Sequence, residues 1–92
     1  FSFPLTIREN AGFKREEIVR FLEGKNIETR MLFGGNILKQ PGFSDIKCRV
    51  VGELKNTDII LNNTFFLGVY PGIDSEKMDY MIKCIDEFLK KL

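Results

Sequence analysis

The run Thr29-Arg30-Met31-Leu32-Phe33-Gly34-Gly35-Asn36, followed by Gln40-Pro41, does not read as simple packing. An arginine leading into a Gly-Gly-Asn turn can bring a guanidinium, backbone N–H groups and a side-chain amide to one place. That group of donors suits a phosphate or a sugar hydroxyl. A solvated arginine before an ordinary turn satisfies the same residues, and turn chemistry alone does not separate the two. A second run, Asn62-Asn63-Thr64-Phe65-Phe66-Leu67-Gly68-Val69-Tyr70-Pro71-Gly72, reads mainly as a strand with a capped entry and a tight exit.

Other chemistry is absent from the sequence. There is no histidine, so neither a His-dependent triad nor a histidine metal site can form. No phosphate-binding loop of the G-x-x-x-x-G-K-[ST] or G-x-G-x-x-G kind occurs. The pairs Glu16/Glu17 and Asp86/Glu87 fall on helix faces expected to be solvated. The catalytic set is therefore expected to be empty, as is the metal set. Cys48 and Cys84 fit no metal-ligand spacing and read as two unpaired thiols in a reducing, cytoplasmic compartment. Asn62-Asn63-Thr64 matches the glycosylation tripeptide, a pattern common by chance.

The elements that must position the Arg30–Asn36 turn can be placed by periodicity. Phe1, Phe3, Leu5 and Ile7 alternate with Ser2, Pro4, Thr6 and Arg8, a half-buried strand; Pro4 lacks an N–H, so either the strand is at a sheet edge or this position points its nitrogen away from the ladder. Ile18, Phe21 and Leu22 have helix spacing after a turn at 9–13, with Lys14 where a capping Ser or Thr would be stronger. Gly24-Lys25-Asn26 ends that helix. Ile27–Phe33 reads as a second strand, and 37–54 as an irregular stretch of the kind that is often functional. A short helix over Asp58–Asn63, capped by Asn56 or Thr57, precedes a central strand, Thr64–Tyr70, apolar on both faces. Asp74 or Ser75 then caps a helix whose Met78, Met81, Ile82, Ile85, Phe88, Leu89 and Leu92 form an apolar stripe expected to be core.

This order predicts a single two-layer α/β (α+β) domain over residues 1–92, with helices mainly on one sheet face. The length, 92 residues, suits one domain, and the net charge of +1 argues against a nucleic-acid or membrane-surface binder. No apolar run approaches the ~20 residues of a spanning helix. The chain starts with Phe inside a strand pattern, so it is expected to belong to a longer protein.

"TRMLFGGNILKQPGF" (29–43), "RVVGELKNTD" (49–58) and "NNTFFLGVYPG" (62–72), in that order, resemble the C-terminal segment of the CDP-4-keto-6-deoxyglucose 3-dehydrases. These belong to the DegT-type sugar aminotransferase family and serve lipopolysaccharide and dideoxysugar biosynthesis. Lys14 and Cys48 depart from the family's pattern, and Cys48 carries no role. The resemblance implies the small C-terminal domain of an aspartate-aminotransferase-like, pyridoxal-phosphate-dependent fold. It implies pyridoxal or pyridoxamine phosphate as cofactor in the full-length enzyme, acting as electron sink while the sugar 3-hydroxyl leaves. A His in place of the Schiff-base Lys and a [2Fe-2S] cluster would lie in the large domain. The partners implied are a CDP-sugar, the chain's own large domain, a second subunit in a homodimer and a flavin/iron–sulfur reductase, with no nucleic acid and no membrane.

By motif match the substrate-binding residues are Arg30 for a phosphate or sugar oxygen, Phe33 as a wall, Gly34 and Gly35 for close backbone approach, and Asn36 for a hydrogen bond to the sugar or cofactor region. The 92 residues alone are expected to bind no cofactor and to be inactive. A true sugar aminotransferase remains an alternative, because the deciding Lys or His lies outside this chain. So does a free-standing small-molecule-binding regulatory module.

Overall fold

The computed structural model describes all 92 residues. A three-stranded antiparallel sheet runs in the order β1 (Ser2–Thr6), β3 (Thr64–Gly68), β2 (Thr29–Met31). Helix α1 (Arg15–Gly24) joins β1 to β2, α2 (Lys55–Asn63) leads directly into β3, and α3 (Ser75–Lys90) closes the chain. Short 3-10 turns at Ile37–Lys39 and Pro41–Phe43 follow β2. The fold is the two-layer α/β arrangement expected from the sequence.

Register explains which side chains meet. Leu5 lies opposite Phe65 and Phe3 opposite Leu67, so these share a face. On that face Phe65 and Leu67 pack with Ile18 and Leu22 of α1, Ile27, and Cys84 of α3. Phe13 and Phe21 both meet Phe88, with ring centroids 5.1 and 5.4 Å apart. Leu22 and Phe65 are fully buried, each contributing about 1.5–3 kcal/mol of transfer free energy. The other face carries Pro4, Thr64, Phe66 and Arg30, because Pro4 and Arg30 both lie opposite Phe66. Pro4 sits on the edge strand, where its missing N–H costs the ladder nothing. Thr64 is buried and its hydroxyl is 2.7 Å from that of Thr6, so the glycosylation tripeptide has its Thr spent on packing.

Several elements begin or end elsewhere than periodicity suggested, each for a local reason. β2 is three residues instead of seven. At its start Asn26 is left-handed (φ 64°), and Ile27 N–H donates back to Leu22 C=O, closing α1. At its end Phe33 N–H turns back to Met31 C=O. Helix α1 starts without a Ser or Thr cap because Glu17 completes the motif from inside, its Oε2 accepting from Lys14 N–H at 2.8 Å. Helix α2 begins at Lys55, three residues early; neither Asn56 nor Thr57 caps it. Its C-terminal carbonyls are met instead by Arg15, whose Nη1 donates to Leu61 and Thr64 C=O at 2.7 and 3.2 Å.

The largest correction concerns α3. Asp74 caps it, accepting from Lys77 N–H at 2.9 Å. Of its apolar stripe, Met81, Ile85 and Phe88 pack on the core, joined by the buried Cys84. Met78, Ile82, Leu89 and Leu92 are exposed instead. The stripe is wider than α1 and three short strands can cover.

Candidate functional site

Three hydrogen bonds shape the turn after β2. Phe33 N–H donates to Met31 C=O (2.8 Å), Gly35 N–H to Leu32 C=O (3.1 Å), and Gln40 Nε2 to Gly34 C=O (2.7 Å). These contacts force Phe33 to φ 48°, a left-handed conformation unusual for an aromatic residue. Its ring is nevertheless 77% exposed. A costly backbone conformation that presents an apolar ring to solvent is the mark of a functional position rather than a packing one.

The ring leans toward Phe66, 6.3 Å away, and Phe1 meets Phe66 from the other side at 6.2 Å. Arg30 stands on the same sheet face. Its guanidinium donates to Glu28 Oε1 at 2.8 Å, and both side chains are more than two-thirds exposed. Such a pair is worth little, so a ligand phosphate can replace the carboxylate at small cost. Together with Met31, Gly68 and Tyr70 these residues line an open groove of about 1410 Å³. Closed ligand pockets measure ~300–1,000 Å³, so this groove needs a further wall to enclose a ligand.

The structure therefore brings Arg30 and Phe33 to one groove; Gly34 does not border it, its carbonyl being taken by Gln40, and Gly35 and Asn36 are used differently from the sequence expectation. A Cβ on Gly35 (φ 69°) would lie 2.6 Å from Leu61 Cδ1 and 2.8 Å from Leu61 Cα. The close approach that glycine permits is to α2, not to a ligand. Asn36 is 2% exposed, and its amide is occupied at both ends. Oδ1 accepts from Leu38 N–H at 3.1 Å, capping the first 3-10 turn, and Nδ2 donates to Asp58 Oδ1 at 2.8 Å. Asp58 also pairs with Lys39 at 3.4 Å. The Asn36 amide first, and Lys39 after it, hold the Asp58 carboxyl below its ordinary value. Glu28 and Phe66 border the groove, and Asp58 and Leu61 hold the turn from α2, outside the residues expected from the sequence. Glu28 acts through a neighbour two residues away, but the roles of Asp58, Leu61 and Phe66 depend on contacts across the sheet or between elements, which spacing does not encode.

The Arg30 guanidinium is of the kind that pairs with an anionic group, and the Phe33 and Phe66 rings are of the kind that pack on a planar or apolar one. Of the lysines bordering the groove, Lys25 pairs with Glu87 at 3.6 Å and Lys77 Nζ donates to Gly72 C=O at 3.2 Å. No group of three or more Cys, Asp or Glu side chains converges as metal ligands do.

The sequence profile of the DegT/DnrJ/EryC1/StrS aminotransferase family matches residues 1–86, and the chain belongs to that family. Within it, the chain is 50% identical over 88 residues to lipopolysaccharide biosynthesis protein RfbH of Salmonella typhimurium, covering 96% of this chain and 20% of the relative. It is 47% identical over 91 residues to the dTDP-4-dehydro-2,6-dideoxy-D-glucose 3-dehydratase of Saccharopolyspora spinosa, covering 99% and 20%. The fold matches that of the Escherichia coli GDP-4-keto-6-deoxy-D-mannose-3-dehydratase with bound hydrated PLP, at a TM-score of 0.80 and 25% identity. That match covers 90% of this chain and 22% of the other. The chain spans about a fifth of the length of the curated relatives it resembles.

Proposed function

We propose that these 92 residues are the C-terminal, substrate-pocket domain of a pyridoxamine- or pyridoxal-phosphate-dependent CDP-4-keto-6-deoxyglucose 3-dehydrase. The enzyme would remove the sugar 3-hydroxyl in lipopolysaccharide O-antigen or dideoxysugar biosynthesis. The observation that carries the reading is the exposed Phe33 in a left-handed conformation beside the Arg30 guanidinium, in a chain 47% identical to a dideoxysugar 3-dehydratase.

In this reading Arg30 releases Glu28 and takes a phosphate or sugar oxygen as a charge-assisted pair. Phe33, with Phe66 behind it, excludes water from one side of the sugar. Gly34 receives Gln40 on its carbonyl, and Gly35 and Asn36 hold the turn against α2. When bound by the full-length protein, the cofactor supplies the electron sink for loss of the hydroxyl. The proton-moving base, a [2Fe-2S] cluster and the rest of the cofactor site lie in the large domain. A homodimer working in the cytoplasm with a flavin/iron–sulfur reductase completes the proposal. No helix here is long and apolar enough to cross a membrane.

A sugar aminotransferase is the second reading, favoured by the family's own description. The two separate on full-length protein saturated with pyridoxal phosphate, reduced with borohydride and weighed by mass spectrometry. A permanent lysine adduct identifies an aminotransferase; reversible binding without an adduct is expected. In the same protein Arg30→Ala should raise KM for the CDP-sugar about tenfold, or more, as expected for a charge-assisted contact worth ~1.5–3 kcal/mol. Unchanged kinetics would remove Arg30 from the site.

A further inference from the structure

We propose that Asp58 is a positioning residue for the ligand-facing turn: through Asn36 it fixes the backbone that presents Arg30 and Phe33. The inference rests on the reading of that turn as one wall of a nucleotide-sugar site.

Asp58 does not border the groove and so has no contact with a ligand there. Its influence passes through the orientation of one buried amide. The Asn36 side chain faces a donor, Leu38 N–H, on one side and an acceptor-only carboxylate, Asp58, on the other. Rotated end for end, the amide would set NH₂ against N–H and oxygen against carboxylate. With Asp58 ionised, only one orientation is satisfied, and at 2% exposure water does not offer an alternative.

The neighbouring residue is clamped by the same helix. Leu61 lies three residues after Asp58, on the same side of α2, and its Cα, Cβ and Cδ1 occupy the space a Cβ on Gly35 would need. Helix α2 therefore grips the turn at two consecutive residues, by shape at Gly35 and by charge at Asn36. Phe33 lies two residues upstream of this grip in its left-handed conformation, and Arg30 three residues further back on β2. Between strand and grip the turn is held by its own backbone bonds and by Gln40 Nε2 on Gly34 C=O. Releasing Asn36 lets the turn relax toward ordinary backbone angles and swings Phe33 off Phe66.

Four variants of the full-length protein test this: Asp58→Ala, Asp58→Asn, Asn36→Asp and the exchange Asn36→Asp/Asp58→Asn. Two quantities are read, amide hydrogen exchange and the kinetics with CDP-4-keto-6-deoxyglucose. Asp58→Ala should speed exchange of residues 33–40 by about tenfold and raise KM about tenfold, with a smaller change in kcat, matching loss of one hydrogen bond to a charged group. Exchange in β3 and α3 should stay as it was. Asn36→Asp opposes two carboxylates and should be at least as harmful. Asp58→Asn keeps an acceptor for Asn36 and should stay within about threefold of the parent, since a neutral bond replaces a charge-assisted one. The exchange variant should recover most of the loss, because the carboxylate it places at position 36 can accept from both Leu38 N–H and the new amide. An unchanged KM in Asp58→Ala, or exchange accelerated equally throughout the domain, would overturn the positioning role. If the parent protein turns over no CDP-sugar, the substrate reading fails separately. The local exchange pattern and its recovery in the exchange variant still decide whether Asp58 holds the turn.

Discussion

At the scale of single residues, two turn positions with positive φ lead to opposite expectations. Phe33 has a side chain where glycine would be more comfortable (φ 48°). Phe33→Gly should raise thermal stability, by up to about 1 kcal/mol once the added chain entropy of glycine is subtracted. The same change should weaken substrate binding, as when strain is kept for function. Thermal melting and KM measured on one preparation show whether the two effects part in that way. Gly35 is constrained both by φ 69° and by Leu61. Gly35→Ala should cost more than about 2 kcal/mol, well above a typical surface substitution. Denaturant unfolding would reveal it as a lowered midpoint.

At the scale of elements, capping and ion pairs join helices to neighbours and make stability depend on pH. The Asp74 cap of α3 should be worth about 0.5–2 kcal/mol, read as the loss on Asp74→Ala. Glu23 accepts from Thr29 N–H and Thr29 Oγ1, both at 2.9 Å, tying α1 to β2. Those two bonds, the backbone one first, hold its carboxyl below its ordinary 4.5. Glu87 on α3 is held below 4.5 by Lys91 first and by Lys25 at the end of α1. A carboxyl depressed in the folded state stabilises it at pH values above the unfolded pKa, and the effect disappears as pH falls through the folded value. Melting temperature should therefore drop on acidification from about pH 5 toward about pH 3, and the drop should shrink in Glu23→Gln and Glu87→Gln. Tyr80 behaves oppositely. Its hydroxyl donates to Lys25 C=O at 2.9 Å and lies beside Cys84; that thiol first, then burial, pushes its pKa above 10.0.

At the scale of the whole molecule, the chain covers less of itself than its length would allow. The radius of gyration is 15.8 Å, against about 12 Å for a compact chain of this length. Only 9 of 92 residues are buried, so the core is small for independent stability. Exposed apolar side chains fall mainly in the aromatic groove, the outer stripe of α3 and the extended segment containing Ile46, Val50 and Val51, with Phe3, Ile37 and Phe43 besides. Surfaces of this kind associate unless something covers them. The 92-residue chain alone should self-associate with rising concentration in sedimentation experiments. Ile82→Lys with Leu89→Lys should reduce that association without disturbing the core, because both side chains are about half exposed.

What the sequence determined by itself follows from short-range rules. Alternation located β1, Pro4 was consistent with an edge, and the doubly apolar run marked β3 as the central strand, because period-2 patterning and a missing N–H act within a few bonds. The position of the Arg30–Asn36 turn was also legible, since Gly34-Gly35-Asn36 breaks any regular element. What the turn does with its residues was decided only by the tertiary structure. Asn36 is an eligible ligand contact by residue type, and it is turned inward because Asp58, 22 residues later, supplies a charged acceptor. Gly35 is spent on Leu61 by shape, because α2 approaches too closely for a side chain there. The apolar stripe of α3 could not be divided into covered and uncovered halves from periodicity, because a helix's pattern records which side chains are apolar and not how wide a surface meets them. That width was set by three short strands and one helix, and it leaves half of the stripe open.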